Sequence, residues 1–340
     1  RFKNPRGITT DGTNLYVADA DNHMIRKINL RGTEATDFAM YNLDDDLNVT
    51  VNVASSNTAE GTVSPATLTF TPNNWQTNQA VTVTGVDDNT ADGHKEYGIS
   101  LSSSGRKTDD PLVTTLAGSG SATFADGTGT AASFKYPYAV ISDGTNLYVA
   151  DTENHKIRKI VISTGVVSTI AGSGSATFAD GTGANASFKY PSGITTDGTN
   201  LYVADMHNHK IRKIVISSGA VTTLAGSGSA TFADGTGTSA SFKYPDHLTT
   251  DGSNLYVADQ QNHKIRKIVI STGVVTTIAG SGSVGSADGT GTSASFNYPR
   301  GITIDGTNLY VSDNTNHKIR KIVISTGEVT TFAGSAAGST

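Results

Sequence analysis

Apolar and polar residues alternate in short runs along most of this chain, a pattern that predicts β-strands rather than helices. The run Leu201-Tyr-Val-Ala204 is rich in strand-forming residues, and the next run sets Ile211, Ile214 and Ile216 among basic residues. Turn-forming residues such as Asp197-Gly-Thr-Asn200 separate the runs. We therefore expect the Lys and Arg side chains of this third strand to face water. The predicted strands are 194–196, 201–204, 210–216 and 221–224.

The same set of strands recurs five times. The last four copies lie 54 residues apart, and a longer gap separates them from the first; the copies begin at Asp11, Asp143, Asp197, Asp251 and Asp305. A fixed period of this length is typical of stacked units that cannot bury their apolar faces alone. Four strands in succession are the pattern of a propeller blade. The sequence therefore predicts an all-β fold, a five-repeat β-propeller with four-stranded blades.

Seventy-eight extra residues interrupt the first repeat between its third and fourth strands. They carry their own β-type alternation, which predicts a small β-sandwich with a separate core inserted into the first blade. The predicted strands of this insert are 47–53, 67–70, 80–84 and 97–101. The predicted domains are the first three strands of blade one at 1–32, the insert at 33–110 and the rest of the propeller at 111–340.

Composition narrows the class of protein. The chain has 340 residues, 36% hydrophobic content and 37 glycines, as expected for an all-β protein with many turns. No apolar run approaches the roughly 18 residues of a membrane helix, so no membrane span is expected. A net charge of −5, with basic residues at fixed repeat positions, argues against a nucleic-acid partner. There is no cysteine, and because Arg1 lies inside a repeat we expect a mature or trimmed fragment.

The repeat resembles the NHL β-propeller family. The residues that carry the resemblance are Tyr190-Pro-Ser-Gly-Ile-Thr195, then Asp197 to Lys213, then Val221-Thr-Thr-Leu-Ala-Gly226. The long loop Phe232 to Phe242 is similar to that of bacterial members in particular. Domains of this family usually have six blades and five are counted here. The resemblance therefore implies either a propeller that closes with five blades or a part of a longer chain.

The insert is similar to the Calx-β and related immunoglobulin-like modules of bacterial surface proteins. Its matching stretches are Glu60 to Trp75 and Val81 to Gly93. This resemblance implies a Ca²⁺ site at Asp87, Asp88 and Asp92, because hard cations favour clustered carboxylate oxygens, and residues 44–46 could approach them. A solvated acidic loop is the alternative. No cofactor is expected to be required.

Two sets of repeated side chains allow a functional and a structural interpretation. The basic residues of each third strand could bind anionic ligands, although a solvated strand face is the simpler interpretation. A histidine recurs in each repeat and could line a metal ring, but evenly repeated polar residues more often hold the turns of their own blades. These histidines are His23, His155, His209, His263 and His317.

Two pairs of positions differ from one repeat to the next. They are the pair that follows each repeat proline and the pair that precedes each Asn-His, and a meander places both at one rim of a propeller. Varied polar residues on a copied scaffold predict a ligand-binding face, with neutral drift as the alternative. The predicted ligand-binding residues are Arg6, Tyr138, Ser192, Asp246, His247, Arg300, Asp21, Glu153, His207, Gln261 and Thr315.

Three functional hypotheses follow. The favoured one is a non-enzymatic binding or adhesion module, extracellular or at the cell surface, that contacts protein or glycan partners through this face. The second is a metal-dependent propeller lyase or hydrolase, for which only His207 and His247 depart from the repeat, fewer than the three ligands of a catalytic zinc. The third is a self-associating structural subunit of an extracellular assembly.

Overall fold

A computed structural model describes residues 1–29, 49–71, 77–86, 98–104 and 113–335 of the chain. The chain forms two compact units, one made of 1–30 with 113–340 and the other of 31–112. The inserted segment therefore extends two residues further at each end than the predicted 33–110. No helix in the described part of the chain is long and apolar enough to cross a membrane.

The repeated unit consists of antiparallel sheets, each built from four consecutive strands. In sheet 1 the insert separates the third strand from the fourth, and the two nevertheless pair directly. The strands of sheets 1 and 2 are Pro5–Thr10, Asn14–Asp19, Met24–Asn29 and Val113–Ala117, then Pro137–Ser142, Asn146–Asp151, Lys156–Val161 and Val166–Ala171. Those of sheets 3 and 4 are Pro191–Thr196, Asn200–Asp205, Lys210–Val215 and Ala220–Ala225, then Pro245–Thr250, Asn254–Asp259, Lys264–Val269 and Val274–Ala279. Those of sheet 5 are Pro299–Ile304, Asn308–Asp313, Lys318–Val323 and Glu328–Ala333.

The long loop between units is more ordered than its glycine-rich sequence predicts. In sheets 2 to 5 it contributes a fifth, two-residue strand that pairs with the fourth strand of the sheet it precedes. These short strands are Gly127–Thr128, Gly181–Thr182, Gly235–Thr236 and Gly289–Thr290. Each leads into one turn of 3₁₀ helix, at Gly129–Ala131, Gly183–Asn185, Gly237–Ser239 and Gly291–Ser293. Each of these sheets is thus completed by chain that comes before its first strand.

The insert contains two small sheets in its described residues. One has three strands with Val49–Ser55 in the middle, flanked by Thr67–Phe70 and Ile99–Ser104. The other pairs Gly61–Ser64 with Thr82–Gly85. The alternation of the sequence located four of these strands and missed the one at Gly61. The predicted calcium ligands Asp87, Asp88 and Asp92, like residues 44–46, lie outside the described residues.

Four apolar layers hold the five sheets together. Each layer combines residues from two successive sheets; between sheets 2 and 3, for example, Tyr148 and Ile157 pack against Phe188, Leu201 and Ile214. Neighbouring sheets also pack through their first strands, in chain order from sheet 1 to sheet 5. In the described residues no comparable packing joins the first strands of sheets 5 and 1, so the ring of sheets is not closed.

In sheets 2 to 5 the arginine of the third strand is buried, which corrects the prediction that these basic residues face water. Arg212 is 0% exposed because apolar layers cover both faces of its sheet. Its guanidinium donates to Asp205 and Asp180 at 2.7 Å each, and to the backbone carbonyls of Ser187 and Ala179. Equivalent contacts surround Arg158, Arg266 and Arg320. The anionic-ligand stripe is therefore wrong for these four arginines, whose charge is already paired within the fold.

The Asp-Gly-x-Asn turns between first and second strands hold their shape through one carboxylate. In sheet 3 Asp197 accepts the backbone N–H groups of Thr199 and Asn200 at 2.9 and 2.6 Å, and the hydroxyl of Tyr202 at 2.8 Å. Burial alone would raise the pKa of Asp197, but these hydrogen bonds favour the charged form and lower it. The repeated motif is thus explained by local structure.

Candidate functional site

The irregular residues after each repeat proline lie in a bulge of the first strand. In sheet 4 Pro245 pairs with Asp259 and Leu248 with Val257, so two residues on one strand face one on the other. The extra residues are Asp246 and His247, and the same shift occurs in the other sheets. A β-bulge redirects side chains and often lies beside a functional site. The local register therefore explains why these positions escape the pattern of the strand.

A single buried carboxylate gathers these side chains. Asp246 is 0% exposed, yet its Oδ1 lies 3.1 Å from His247 Nδ1 and its Oδ2 lies 3.3 Å from Arg300 Nε. The hydroxyl of Tyr138 donates to Oδ2 over 3.4 Å. Ser192 donates its hydroxyl to the backbone carbonyl of Asp246 at 2.8 Å. Four sheets therefore meet at this one residue.

The first sheet joins the group through Arg6. Its guanidinium lies 5.3 Å from the ring centre of Tyr138, a cation–π contact, and donates to the hydroxyl of Tyr136 at 3.0 Å. The rings of Tyr138 and His247 are 5.4 Å apart. Burial and the Asp246 carboxylate raise the pKa of Tyr138 to about 12, so its hydroxyl remains a hydrogen-bond donor at neutral pH. We refer to Arg6, Tyr138, Ser192, Asp246, His247, Gln260 and Arg300 as the Asp246 cluster.

Gln260 was missed by the sequence analysis, which selected its neighbour Gln261. The amide of Gln260 is 5% exposed and donates to Asp246 Oδ2 at 3.2 Å. Both residues are irregular, but the 3₁₀ turn Gln260–Asn262 directs the first of them toward the bulge. In sheet 2 the equivalent Thr152 likewise donates to the carbonyl of Pro191, over 2.7 Å. The orientation of this 3₁₀ turn determines which of the two residues faces the bulge, and the sequence pattern did not show it.

The second set of predicted residues does not join the Asp246 cluster in the described structure. Each sheet contributes one residue of this second set, the residue directly before the Asn-His pair. Its backbone N–H donates to the carbonyl of the residue two positions before the repeat proline. The Asp21 side chain accepts from Asn4, Glu153 lies 3.5 Å from Lys135, and His207 packs between the rings of Tyr190 and Tyr244. The five residues that donate this backbone hydrogen bond are Asp21, Glu153, His207, Gln261 and Thr315.

The repeated histidines join successive sheets. Nδ1 of His209 accepts the backbone N–H of Tyr244 at 3.2 Å, and the two rings meet edge to face at 4.7 Å. The same bond links His23, His155 and His263 to Tyr136, Tyr190 and Tyr298. The structural interpretation of these histidines is thus supported, although the bond reaches the following unit rather than the turn of their own.

Because Nδ1 of His155, His209 and His263 accepts a hydrogen bond, these three imidazoles must be neutral. Burial, together with nearby positive charge, lowers the pKa of His155, His209 and His263. A lowered folded pKa makes the unfolded state bind more protons, so this stability is present above about pH 6.5 and is lost as the pH falls through the folded pKa. We therefore expect the chain to unfold at lower denaturant concentration at pH 5 than at pH 7.5.

Urea titrations at both pH values measure this dependence. In the triple variant His155→Asn, His209→Asn, His263→Asn, an amide oxygen replaces the imidazole acceptor and does not titrate, so the pH dependence should shrink. An unchanged pH dependence in the triple variant would show that other groups cause it.

The metal-dependent alternative finds no assembled ligand set in the described residues. Among them no group of three or more His, Cys, Asp or Glu side chains is placed to hold a metal ion. His207 packs against tyrosine rings, whereas His247 contacts the carboxylate of Asp246. The two histidines therefore have different contacts. The Asp246 cluster offers other chemistry. Two partly exposed guanidinium groups and two aromatic rings surround one carboxylate, which suits polar recognition.

Repeated four-stranded antiparallel sheets, packed through their first strands, define an all-β repeat protein consistent with a β-propeller. One similar solved structure is a putative phosphatase from Bacteroides thetaiotaomicron, with a TM-score of 0.50 and 16% sequence identity, covering 94% of this chain and 70% of that one. At this identity the likeness concerns the fold alone.

Sequence relatives narrow the class. No family model matches the chain. NHL repeat-containing protein 2 of Gallus gallus is 28% identical over 307 residues, which are 81% of this chain and 40% of that protein. The chloroplastic Protein SUPPRESSOR OF QUENCHING 1 of Arabidopsis thaliana is 31% identical over 235 residues, 64% of this chain and 22% of that protein. The chain is thus similar to an NHL repeat-containing protein, and it spans less than half the length of either relative.

Proposed function

We propose that this chain is a non-enzymatic binding module that works outside the cell or at its surface, in a bacterium, and contacts protein or glycan partners through the Asp246 cluster. The main support for the proposal is that the side chains of the cluster come from different sheets. All five sheets contribute to it through positions that vary among the repeats, with an arginine in both sheets 1 and 5 and different residues in the other three. A scaffold that is nearly identical elsewhere has thus varied where its sheets converge.

The charges of the cluster indicate the kind of group it binds. Arg6 and Arg300 supply two positive charges, while the one carboxylate facing them is fully buried. The Arg300 side chain is 37% exposed and can donate further hydrogen bonds to a partner. Planar guanidinium donors match carboxylate oxygens, and aromatic rings supply contact area at little entropic cost. An acidic sugar or an acidic peptide side chain has the complementary chemistry.

Arrays of uronate-containing oligosaccharides and of Asp- and Glu-rich peptides provide the test. We expect the chain to bind members of one array, and Arg300→Ala and Tyr138→Ala each to weaken that binding by about 2 kcal/mol, or about thirtyfold. The control Thr199→Ala alters an Asp-Gly-x-Asn turn and should leave binding unchanged. Absence of binding on both arrays, or equal losses in Thr199→Ala, would contradict the proposal.

The insert extends this proposal. On its resemblance to Calx-β and immunoglobulin-like modules, we propose that it is a second β-sandwich domain acting as a spacer or an additional binding unit. The two small sheets of its described residues support a domain with its own strands. The calcium site at Asp87, Asp88 and Asp92 remains a prediction of that resemblance.

A further inference from the structure

Five aromatic rings of sheets 2 to 4 follow one another in contact, and the middle ring is the one that the repeat does not copy. Tyr190 and Tyr244 precede the repeat prolines of sheets 3 and 4, and each meets the repeated histidine of the preceding unit edge to face, with ring centres 4.7 Å apart. His207 lies between them, 4.7 Å from the ring centre of Tyr190 and 5.1 Å from that of Tyr244. Within the described part of the chain, no other side chain links two of the tyrosines that precede repeat prolines. We name the five rings the aromatic belt: His155, Tyr190, His207, Tyr244 and His209.

The aromatic belt offers polar groups to solvent. Tyr190 is 36% exposed, and His207 and Tyr244 are partly exposed. The two tyrosine hydroxyls and the ring nitrogens of His207 form no hydrogen bond with any described residue. Burial and the nearby charge of Lys189 lower the pKa of His207, so its imidazole is neutral at pH 7 and can donate from one nitrogen and accept at the other. The middle of the belt therefore has several free donors and acceptors beside apolar ring carbons.

Lysines at one repeat position flank the belt, and two of them lack an acidic partner. In sheet 2 Lys135 lies 3.5 Å from Glu153. In sheet 3 His207 takes the position of that glutamate, so Lys189 has no carboxylate within 4 Å among the described residues, and the same holds for Lys243 of sheet 4. Burial lowers the pKa of all three belt histidines, and the charge of Lys189 lowers each of them further. This unpaired cation is therefore close to the whole middle of the belt.

These groups together suit an acidic sugar. Unpaired ammonium groups attract anions, and two of them in successive sheets match a ligand with more than one carboxylate. The belt rings meet at angles of 44° to 89°, so they present edges as well as faces and make a poor platform for flat nucleobases. A sugar unit carries apolar C–H groups beside hydroxyls, which matches ring carbons beside free hydroxyl and imidazole groups.

We propose that the aromatic belt, with Lys189 and Lys243, is a second binding site, and that it takes an acidic oligosaccharide. Sugar hydroxyls bond to Tyr190, His207 and Tyr244, while carboxylates of the sugar units meet the two ammonium groups. The site is preorganised, because a repeated histidine holds the backbone N–H of each tyrosine at 3.2 Å. It shares no side chain with the cluster on which the proposed function rests, so it does not depend on that function.

Isothermal titration calorimetry of the whole chain with hexagalacturonate, an oligomer of a uronic acid, tests the proposal. The wild type should bind it more tightly than the neutral maltohexaose by about tenfold or more, and added salt should weaken the binding because it screens the ammonium groups. His207→Glu should weaken binding by about tenfold or more, since it removes a ring and gives Lys189 the acidic partner that Lys135 has in sheet 2. Lys189→Ala removes the cation alone and should weaken binding by about fivefold.

Thr315→Glu is the matched control for His207→Glu. It introduces the same charge at the same repeat position of sheet 5, where Asn297 takes the place of the lysine, and it should bind as the wild type does. Equal losses in these two variants, or a wild type that does not bind hexagalacturonate, would overturn the proposal.

Arg300→Ala separates the belt from the Asp246 cluster. A loss in His207→Glu with none in Arg300→Ala would support the belt and count against an acidic sugar at the cluster. Losses in both variants would show that both sites take acidic sugars. A loss in Arg300→Ala with none in His207→Glu would assign the oligosaccharide to the Asp246 cluster alone, and the second site would be wrong.

Discussion

Arg212→Met is expected to destabilise the repeated unit by about 3 to 5 kcal/mol. The substitution leaves Asp205, which is fully buried, without its positive partner, and removes the donor shared by Asp180 and two backbone carbonyls. It also removes the cation from between the rings of Phe178 and Phe188, which lie 4.7 and 5.1 Å from the guanidinium carbon. A buried charge that has lost its partner is among the most costly defects in a protein.

Urea unfolding measures this loss, with Lys213→Met as the matched control. Lys213 is adjacent on the same strand and only partly buried, so its substitution should cost less than about 1 kcal/mol. Adding Asp205→Asn to Arg212→Met should restore part of the stability because it removes the unpaired charge. Burial already raises the pKa of Asp205 despite the attraction of Arg212, as expected for a carboxylate that is costly to desolvate. Equal losses in Arg212→Met and Lys213→Met would contradict this account.

Gly226→Ala is expected to cost roughly 3 kcal/mol or more, through both backbone strain and a clash. Gly226 has a φ of +107°, and an added Cβ would lie 2.6 Å from the carbonyl oxygen of His209 and 2.9 Å from Lys210 Cα. Both atoms belong to the backbone where the third strand begins, and they cannot move aside as a flexible side chain could. The ring of Phe242 lies only 3.3 Å from the same point. The junction between sheets 3 and 4 would therefore have to open.

Gly252→Ala separates the two causes. This glycine also has a positive φ, of +87°, but an added Cβ would have nothing within 4 Å. Its substitution carries the strain alone, about 1 to 2 kcal/mol. Thermal unfolding of the two variants should show the larger loss for Gly226→Ala. Similar losses would indicate that close packing at the junction contributes little.

The positions of strands could be predicted from the sequence because turn motifs and short alternating runs repeat in register. Which strand faces are buried could not be predicted from the sequence, and Arg212 illustrates the reason. Alternation on a strand distinguishes its two faces but does not show whether one of them meets water, and here both are covered. The recurrence of Asp205 seven residues before the arginine, in every copy, was the signal of an internal partner.

The Asp246 cluster was only partly predictable. Comparison of the copies identified the irregular residues after each proline, since repetition makes any departure visible. It could not show that they converge on Asp246, because that depends on the bulge and on contacts between sheets far apart in the chain. Tyr138 and Asp246, for instance, are 108 residues apart. For a similar reason the sequence did not show that Gln260, rather than Gln261, contacts Asp246, since one turn of 3₁₀ helix decides which amide points inward.

The short strand that each loop adds to the following sheet bears on how such a chain can gain or lose units. Each loop forms part of the sheet that follows it. A deletion of one sheet from its first to its fourth strand, such as 191–225, would therefore leave two loops in succession. It would also leave Asp180, in the first of these loops, without the arginine that it binds. A deletion of one whole period of 54 residues, starting anywhere in the repeated region, joins equivalent positions and preserves every loop with its sheet. Unequal recombination between near-identical copies adds or removes whole periods, so it can lengthen or shorten this protein without joining positions that are not equivalent.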